Sequence, residues 1–368
     1  MKHQVIFGIS GSISAYKSLD IIRNLRKLNI QIQPILSTSA HKFVTPWSVE
    51  SLSESSLLNQ SLIDGKISHL DICSHATAFV ICPASANIIA KIATGLADDS
   101  LTASFLSYTG PKLLFPAMHT EMYTNPITQA NIKRCREMGI TVIDPTSGDL
   151  ACGDIGIGRL PDVNLITDLI QFSFLQPLDL AGKKIIITCG GTSQPIDPVR
   201  SITNTASGKS GHVMANLAAY FGADVTLIRT KEHPTLDSIQ TINVQTSQEM
   251  DDALMPFSKT CDCLIMNAAV SDFTVQKNDT KLSRQSFSKL DLTPTNDILK
   301  TFNKTKQSHC QSIGFCLSDS EDLIELAKKK RIEKGCEMIV ANSVDSFGST
   351  NRNVHIIDES NIQSFKNI

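Results

Sequence analysis

Val5-Ile6-Phe7-Gly8-Ile9 runs into Ser10-Gly11-Ser12, and much later in the chain Lys183-Lys184-Ile185-Ile186-Ile187-Thr188 runs into Cys189-Gly190-Gly191-Thr192. Each stretch reads as a short apolar strand, a Gly-rich turn and the start of an amphipathic segment, the opening of a doubly wound α/β unit. A chain that opens twice in this way is most simply two α/β domains joined end to end. The join falls near Gln176-Pro177-Leu178-Asp179-Leu180-Ala181-Gly182, giving domains over 1–176 and 182–368. In the first, Ile32–Leu36, Ala78–Cys82, Lys112–Phe115 and Thr141–Ile143 read as further buried strands, with a helix predicted from Ser14 to Leu28. In the second, Asp224–Ile228, Cys263–Met266, Ser312–Phe315 and Met338–Ala341 do the same. Such parallel sheets bind ligands beyond the carboxyl ends of their strands, where both Gly-rich turns fall.

Composition bounds the function classes. The chain has 368 residues, 41% apolar and 19% charged, which fits two soluble globular domains and excludes a disordered or fibrous chain. With 34 Lys and Arg against 36 Asp and Glu, the net charge of −2 argues against a nucleic-acid footprint. No apolar run is long enough to span a bilayer, and Met1-Lys2-His3-Gln4 enters a strand-like segment with no signal-peptide pattern, so a cytoplasmic protein is expected. Ten scattered cysteines then read as reduced thiols, mostly in the core.

Several stretches carry chemistry. Gly8-Ile9-Ser10-Gly11-Ser12 lacks the dinucleotide fingerprint, but its backbone N–H groups and hydroxyls suit a single phosphate at a helix N-terminus. The same stretch also serves as a plain tight turn. Cys82-Pro83-Ala84-Ser85-Ala86-Asn87 offers a hydroxyl and an amide at a strand end, although Ser85 equally reads as a helix N-cap. Ala97-Asp98-Asp99-Ser100-Leu101-Thr102 reads as a helix boundary. Phe115-Pro116-Ala117-Met118-His119-Thr120-Glu121-Met122 follows a strand. Ala151-Cys152-Gly153-Asp154-Ile155-Gly156-Ile157-Gly158-Arg159-Leu160 is too Gly-rich for helix or strand and is expected to be a loop, with Cys152 outside the core. His69 lies ahead of the strand that ends in Pro-Ala-Ser-Ala-Asn. In the second half, Pro195-Ile196-Asp197-Pro198-Val199-Arg200 leads to Thr203-Asn204-Thr205-Ala206-Ser207-Gly208-Lys209-Ser210-Gly211, which suits an anion ahead of a helix near His212. Asp272, in Ala268-Ala269-Val270-Ser271-Asp272, could hold Mg²⁺ near a triphosphate. Lys328-Lys329-Lys330-Arg331 and Lys334 read by default as a solvated helix face.

Taken in order, these segments resemble the bacterial bifunctional phosphopantothenoylcysteine decarboxylase/phosphopantothenate–cysteine ligase family of coenzyme A biosynthesis, over nearly the whole chain. The resemblance implies an N-terminal flavodoxin-like domain that binds FMN through Gly8, Ser10, Gly11, Ser12, Ser37, Ser85, Ala86 and Asn87. There His69 matches the family's catalytic histidine and Cys152 the thiol that donates the final proton, with His119 beside the substrate carboxylate. It also implies a Rossmann-like ligase domain that activates phosphopantothenate with CTP as an acyl-cytidylate and passes it to cysteine. In that domain Asn204 would contact the acyl phosphate, and Asp272 the Mg²⁺ and nucleotide. Gly190, Gly191, Ala269, Lys281, Asn296, Asp297, Ile298, Leu299, Phe315, Lys330 and Lys334 would line the CTP site, Lys281 also acting in catalysis. Trimeric flavin domains and dimeric ligase domains are expected, so the chain should be a homo-oligomer.

This sequence departs from the family pattern in places. His119 stands where the family has Asn, Gly314-Phe315-Cys316-Leu317-Ser318-Asp319 replaces Gly-Phe-Ala-Ala-Glu-Thr, Lys281-Leu282-Ser283-Arg284 replaces Lys-Ile-Lys-Lys, Thr295-Asn296-Asp297-Ile298 replaces Asn-Pro-Asp-Ile, and Ala341-Asn342-Ser343-Val344 replaces Ala-Asn-Asp-Val. Two other readings stay open at this point: an enzyme with one impaired domain, the decarboxylase first because of His119, and a flavin-binding regulatory protein without turnover. Cys152 on its Gly-rich stretch discriminates, because a binder has no use for it.

Overall fold

A computed structural model describes residues 3–58, 68–283, 289–319, 322–343 and 353–366, with the side chains of 68–70 left aside. The chain divides into two compact units, Met1–Gln176 and Pro177–Ile368. Among the described residues no helix is long and apolar enough to cross a membrane.

The first unit is a five-stranded parallel sheet in the order β2-β1-β3-β4-β5, formed by β1 (Gln4–Ile9), β2 (Gln31–Leu36), β3 (Ala78–Ala84), β4 (Lys112–Pro116) and β5 (Thr141–Val142). Its strands are buried on both faces, as parallel sheets require, so helices must cover both. Ile6, Phe79, Ile81 and Leu114 point toward a layer that includes Ile88, Ile89 and Ile92 of α4 (Ala86–Thr94), Phe105 of α5 (Ser100–Ser107) and Ile132 of α7 (Pro126–Glu137). The earlier helices are α1 (Lys17–Lys27), α2 (Pro46–Ser53) and α3 (Ser68–His75), with α6 (Thr120–Thr124) before α7. The predicted Ser14–Leu28 helix is a 3₁₀ turn over Ile13–Tyr16 followed by α1, which buries Ile21, Ile22 and Leu25. Asp99 closes a capping box with Thr102 at the start of α5, the helix boundary expected there.

One expectation fails. Ile155–Arg159 is not loop but strand β7, paired antiparallel with β6 (Thr146–Asp149) ahead of α8 (Val163–Phe172). Its glycines serve close approach rather than looseness. A Cβ at Gly158, where φ is +142°, would fall on the Met118 carbonyl oxygen, and one at Gly156 on Thr120 Oγ1.

The second unit carries an eight-stranded sheet in the order β12-β11-β8-β13-β16-β17-β18-β19. In chain order its elements are β8 (Lys184–Cys189), the short pair β9 (Ser193–Pro195) and β10 (Ser201–Thr203), α9 (Lys209–Tyr220), β11 (Asp224–Arg229), β12 (Gln240–Asn243), α10 (Ser247–Leu254) and β13 (Cys263–Met266). A second short pair, β14 (Phe273–Val275) and β15 (Leu292–Pro294), precedes α11 (Ile298–Thr305), β16 (Gln311–Leu317), α12 (Leu323–Lys334) and β17 (Met338–Asn342). The strands β18 (Val354–Ile357) and β19 (Ile362–Phe365) add an antiparallel edge. Ile185 and Ile187 face Ala215 and Ala218 of α9, while Ile186 faces the layer holding Met250 of α10 and Phe302 of α11. Successive residues of β8 thus serve opposite cores, the period-2 rule that made this strand legible.

Phe79 is fully buried, edge-on to Phe105 at 5.0 Å between ring centroids. Phe79→Ala should cost roughly 3–5 kcal/mol. Chemical denaturation should show that loss in the unfolding of residues 3–176 and leave the transition of the second unit where it was.

Candidate functional site

In each unit the strand order reverses beside the first strand, between β1 and β3 and between β8 and β13, and crevices at such switch points accept ligands. Strand ends there leave backbone groups that need partners. Ser10 is buried and satisfies two: its Oγ donates to the Pro83 carbonyl at 2.8 Å and accepts from the Ser85 N–H at 2.8 Å. Ser12 Oγ donates to the Ala117 carbonyl at 3.1 Å, tying the same turn to the end of β4.

The turn borders two cavities. One, of about 270 Å³, is lined by Ser10, Gly11, Ser37, Ser39, Ser85, Ala86 and Asn87, with Lys91 and Asp99 among its remaining walls. Ser85 caps α4 through a 3.4 Å bond from the Ile88 N–H, so its bland reading and its place on the wall hold together. This set of hydroxyls and amide at a helix N-terminus fits a phosphate ester. Gly8 is not on this wall. It sits in the core with Leu101 and Ile81 where a Cβ would go, and its lack of a side chain serves packing.

The second cavity, about 480 Å³, is lined by Ser12, Lys17, Met118, His119, Cys152 and Arg159, among others. The β6–β7 hairpin forms part of it because the Met118 N–H donates to the Gly158 carbonyl at 3.1 Å and Thr120 Oγ1 to the Ile157 carbonyl at 2.8 Å. Docking the hairpin brings three side chains together. His119 Nε2 lies 3.1 Å from Asp154 Oδ2, and the Cys152 thiol donates to the same oxygen at 3.3 Å. Asp154 is held below the usual carboxylate range, first by the His119 hydrogen bond and then by that of Cys152. Across the cavity Lys17 is pushed below its ordinary value, chiefly by burial and then by the Arg159 charge. Two cations on the wall of one cavity make a place for an anion.

From the sequence alone Asp154, Lys17 and Arg159 receive no role, although Asp154 and Arg159 lie in a stretch singled out there. Composition carries no signal that Lys17 and Arg159 share a cavity. The backbone at His69 lies in the first turn of α3, and its side chain is outside the described residues. Cys152 is the one exposed thiol of ten; burial pushes Cys135 and Cys263 up to about 11, and Cys189 and Cys261 to about 12. Cysteines so raised stay protonated and inert near neutrality.

In the second unit a cavity of about 310 Å³ is walled by Gly190, Ala269, Phe315, Asn342 and the Thr205–Ser210 segment. Thr192 Oγ1 accepts from the Ser271 N–H at 2.8 Å, and Asn204 Nδ2 donates to the Ala269 carbonyl at 2.9 Å. A Cβ at Gly191 would fall on the Asn204 carbonyl oxygen, so this glycine lets the two segments touch. Asn342 Oδ1 is buried without a partner among the described residues. Asp272 is exposed and belongs to no cluster of three metal-ligating groups among the described residues.

Other residues expected at the nucleotide site are not on the wall of this cavity. Ile298 and Leu299 are core side chains packed with Phe302, buried because they form the inner face of α11. Asp297 caps α11 through Lys300 N–H at 3.1 Å and pairs with Lys334 at 2.6 Å, so Lys334 is not a free cation. Asn296 Nδ2 donates to Asp251 at 2.7 Å. Lys330 is half-buried, and Lys281 is exposed on a segment held by the PIDPVR motif. There Asp197, wholly buried, accepts from the Val199 and Arg200 N–H groups at 2.8 Å and the Leu282 N–H at 3.1 Å, while Arg200 donates to the Leu282 carbonyl at 2.6 Å.

Residues 1–175 match the family described as Flavoprotein, and residues 180–368 match the DNA/pantothenate metabolism flavoprotein C-terminal domain. The Coenzyme A biosynthesis bifunctional protein CoaBC of Mycobacterium tuberculosis is 36% identical over 360 residues, covering 93% of this chain and 86% of that protein. The protein of the same name from Borreliella burgdorferi is 34% identical over 369 residues, covering 98% and 94%. Among solved structures, a PPC decarboxylase mutant complexed with pantothenoylaminoethenethiol is 29% identical, covering 46% of this chain and 97% of that one, with a TM-score of 0.43.

Two tests follow from this geometry. Gly158→Ala should strain the backbone and part the hairpin from Met118, at a cost of roughly 1–3 kcal/mol. Iodoacetamide would report it as a changed alkylation rate of Cys152, with the melting temperature of the first unit lowered. Burial alone would raise Asp197, but the hydrogen bonds from Val199, Arg200 and Leu282 outweigh it and hold the carboxyl well below the usual range. Its stabilisation is therefore complete above the unfolded value of about 4 and is lost as pH falls toward the folded one. Asp197→Asn should be less stable than the parent at pH 7, and the gap should narrow steadily below pH of about 4 in denaturant titrations.

Proposed function

Since the chain belongs to the family of Coenzyme A biosynthesis bifunctional proteins, enzymes that join a ligase to a decarboxylase, we propose that its second unit ligates 4'-phosphopantothenate to cysteine and its first decarboxylates the product. In the second unit the carboxylate of 4'-phosphopantothenate attacks CTP, releasing pyrophosphate and forming an acyl-cytidylate. The amine of cysteine then displaces CMP. The cavity at the β8–β13 switch point supports this reading, with Gly190, Ala269 and Phe315 on its wall and the unpartnered Asn342 Oδ1 suited to a ligand amino group. Asp272 would supply one carboxylate to Mg²⁺, whose other ligands would be phosphate oxygens and water, the usual way this ion is held. Lys281 would face the triphosphate from the segment that Asp197 and Arg200 fix.

In the first unit the observation that carries the reading is the meeting of His119, Cys152 and Asp154 over a cavity that holds Lys17 and Arg159. FMN fits the adjoining hydroxyl-lined cavity. Its phosphate would lie against Ser10, Ser37 and Ser85 with Ala86 and Asn87 at the α4 N-terminus, Ser12 standing on the wall of the neighbouring cavity. When bound, FMN supplies the oxidation of the substrate's thiol side chain that makes loss of CO₂ possible. Lys17 and Arg159 would hold an anionic end of the substrate, and His119 would orient the carboxylate that leaves. His69 would take a proton as general base. Cys152 would deliver the final proton from Sγ, which Asp154 keeps directed through its hydrogen bond. The exposed apolar side chains Ile13, Tyr16, Phe43 and Trp47, the last 82% exposed, suit a homo-oligomer. A cytoplasmic enzyme is the setting we assign.

Intact protein given 4'-phosphopantothenate, cysteine, CTP and Mg²⁺ should release pyrophosphate and then CO₂. Cys152→Ser should keep pyrophosphate release and lower CO₂ release by at least about a hundredfold, the scale of losing a positioned proton donor. Pyrophosphate without CO₂ from the parent would confine the chain to ligation, and neither product would overturn the reading.

A further inference from the structure

The chemistry proposed for the first unit uses the Cys152 proton and the hydrogen bonds that direct it, and the same three side chains also bring three different ligand atoms together at the cavity mouth. From that convergence we infer that His119 Nε2, Cys152 Sγ and Asp154 Oδ2 form a binding site for a thiophilic divalent cation of the Zn²⁺ class, and that the ion, once bound, withholds the thiol from decarboxylation.

Two of the three separations match those of a tetrahedral ion, and the third is bounded at 4.8 Å. A tetrahedral Zn²⁺ with ordinary bond lengths sets its nitrogen and oxygen ligands about 3.3 Å apart and its sulfur and oxygen ligands about 3.5 Å apart. His119 Nε2 and Asp154 Oδ2 are 3.1 Å apart, Cys152 Sγ and Asp154 Oδ2 3.3 Å, and all three atoms lie within 4.8 Å of one another. Among the described residues no other group of three His, Cys, Asp or Glu side chains converges in this way. The ligand set is thiolate, imidazole and carboxylate, a combination that Zn²⁺ accepts and Mg²⁺ does not seek. The site is also built in advance. His119 precedes α6, the other two ligands lie on the turn between β6 and β7, and the 3.1 Å bond from Met118 to Gly158 and the 2.8 Å bond from Thr120 to Ile157 lock these segments together.

Entry is open, because the Asp154 side chain is 68% and that of His119 38% exposed. Charge also balances. Thiolate and carboxylate together neutralise the ion, so the loaded site faces Lys17 and Arg159 with no net charge. Binding releases the Cys152 thiol proton to solvent. It also moves the imidazole proton from Nε2 to Nδ1, giving up the 3.3 Å bond that Nδ1 accepts from the Glu121 N–H. Three protein ligands leave the fourth position to water or to the thiol of a substrate, the arrangement of an open site.

Co²⁺ is the probe, titrated into the intact protein with absorbance read at wavelengths longer than a flavin absorbs. One equivalent should give the intense d–d bands of a tetrahedral cobalt site, and excess Zn²⁺ should bleach them. His119→Asn and Cys152→Ser should each weaken binding at least tenfold, and both positions are exposed enough that folding is not at stake. Absence of the bands, or affinity unchanged in both variants, would overturn the site. The inhibition rests on the proposed decarboxylation, so it is read separately: one equivalent of Zn²⁺ should suppress CO₂ release while pyrophosphate release continues. CO₂ release undiminished by bound Zn²⁺ would overturn the inhibition. A parent that releases no CO₂ even without metal would count against the proposed function, and the cobalt spectrum would still decide the site.

Discussion

Where a parallel strand ends at a reversal of strand order, its last peptide groups face a crevice and must find partners that do not fill it. Both units solve this with small hydroxyls. Ser10 bonds across to Pro83 and Ser85 in the first, and Thr192 accepts from Ser271 in the second, where Thr188 Oγ1 also takes the Ala268 N–H at 3.2 Å. A buried peptide group left without a partner costs about 1–3 kcal/mol. Side chains that satisfy such groups while leaving a cavity open are therefore what let each crevice exist. The cavities, the helix N-termini beside them and the segments that wall them all follow from that arrangement.

The first unit adds a second layer to this plan. Its sheet supplies Ser10, Ser12 and the β4 end that carries Met118 and His119, but the cavity becomes a site only when the β6–β7 hairpin docks on that end. Glycine at 156 and 158 is the condition for docking, since any side chain at either position would occupy the space of Thr120 or of the Met118 carbonyl. The exposed thiol and the carboxylate beside it are thus placed by backbone packing some distance from either group. The second unit works by the same means: buried Asp197 gathers three backbone N–H groups and the Arg200 guanidinium and so fixes the Lys281 segment, which has little packing of its own.

Much of this was legible in the chain itself. Strands such as Ile185–Thr188 are continuous apolar runs followed by glycine, and that pattern has few other readings. The first turn and the Pro-Ala-Ser-Ala-Asn segment read as phosphate and amide chemistry; Ser10, Ser85, Ala86 and Asn87 line one cavity, while Ser12 faces the other. Residues 151–154 are the loop expected there, but Ile155–Arg159 is strand, because glycine that signals a loop locally here signals contact with a partner distant in sequence. Ile298, Leu299 and Lys334 were assigned to a ligand by motif position. Helical periodicity puts the first two in the core, and an N-capping aspartate occupies the third.

By itself, then, the sequence determined two α/β domains, the boundary region near residues 176–182, the strands that carry the Gly-rich turns and the identity of the one thiol worth watching. These are local properties: alternation, run length and turn chemistry act over a few residues and survive without knowledge of the rest. Only the tertiary structure decided that His119 and Asp154 meet at that thiol, that Lys17 and Arg159 share its cavity, and that Gly8 belongs to the core. Those are relations between residues far apart in the chain. They are settled by which backbones can approach closely enough to exchange hydrogen bonds, and a linear pattern does not record that.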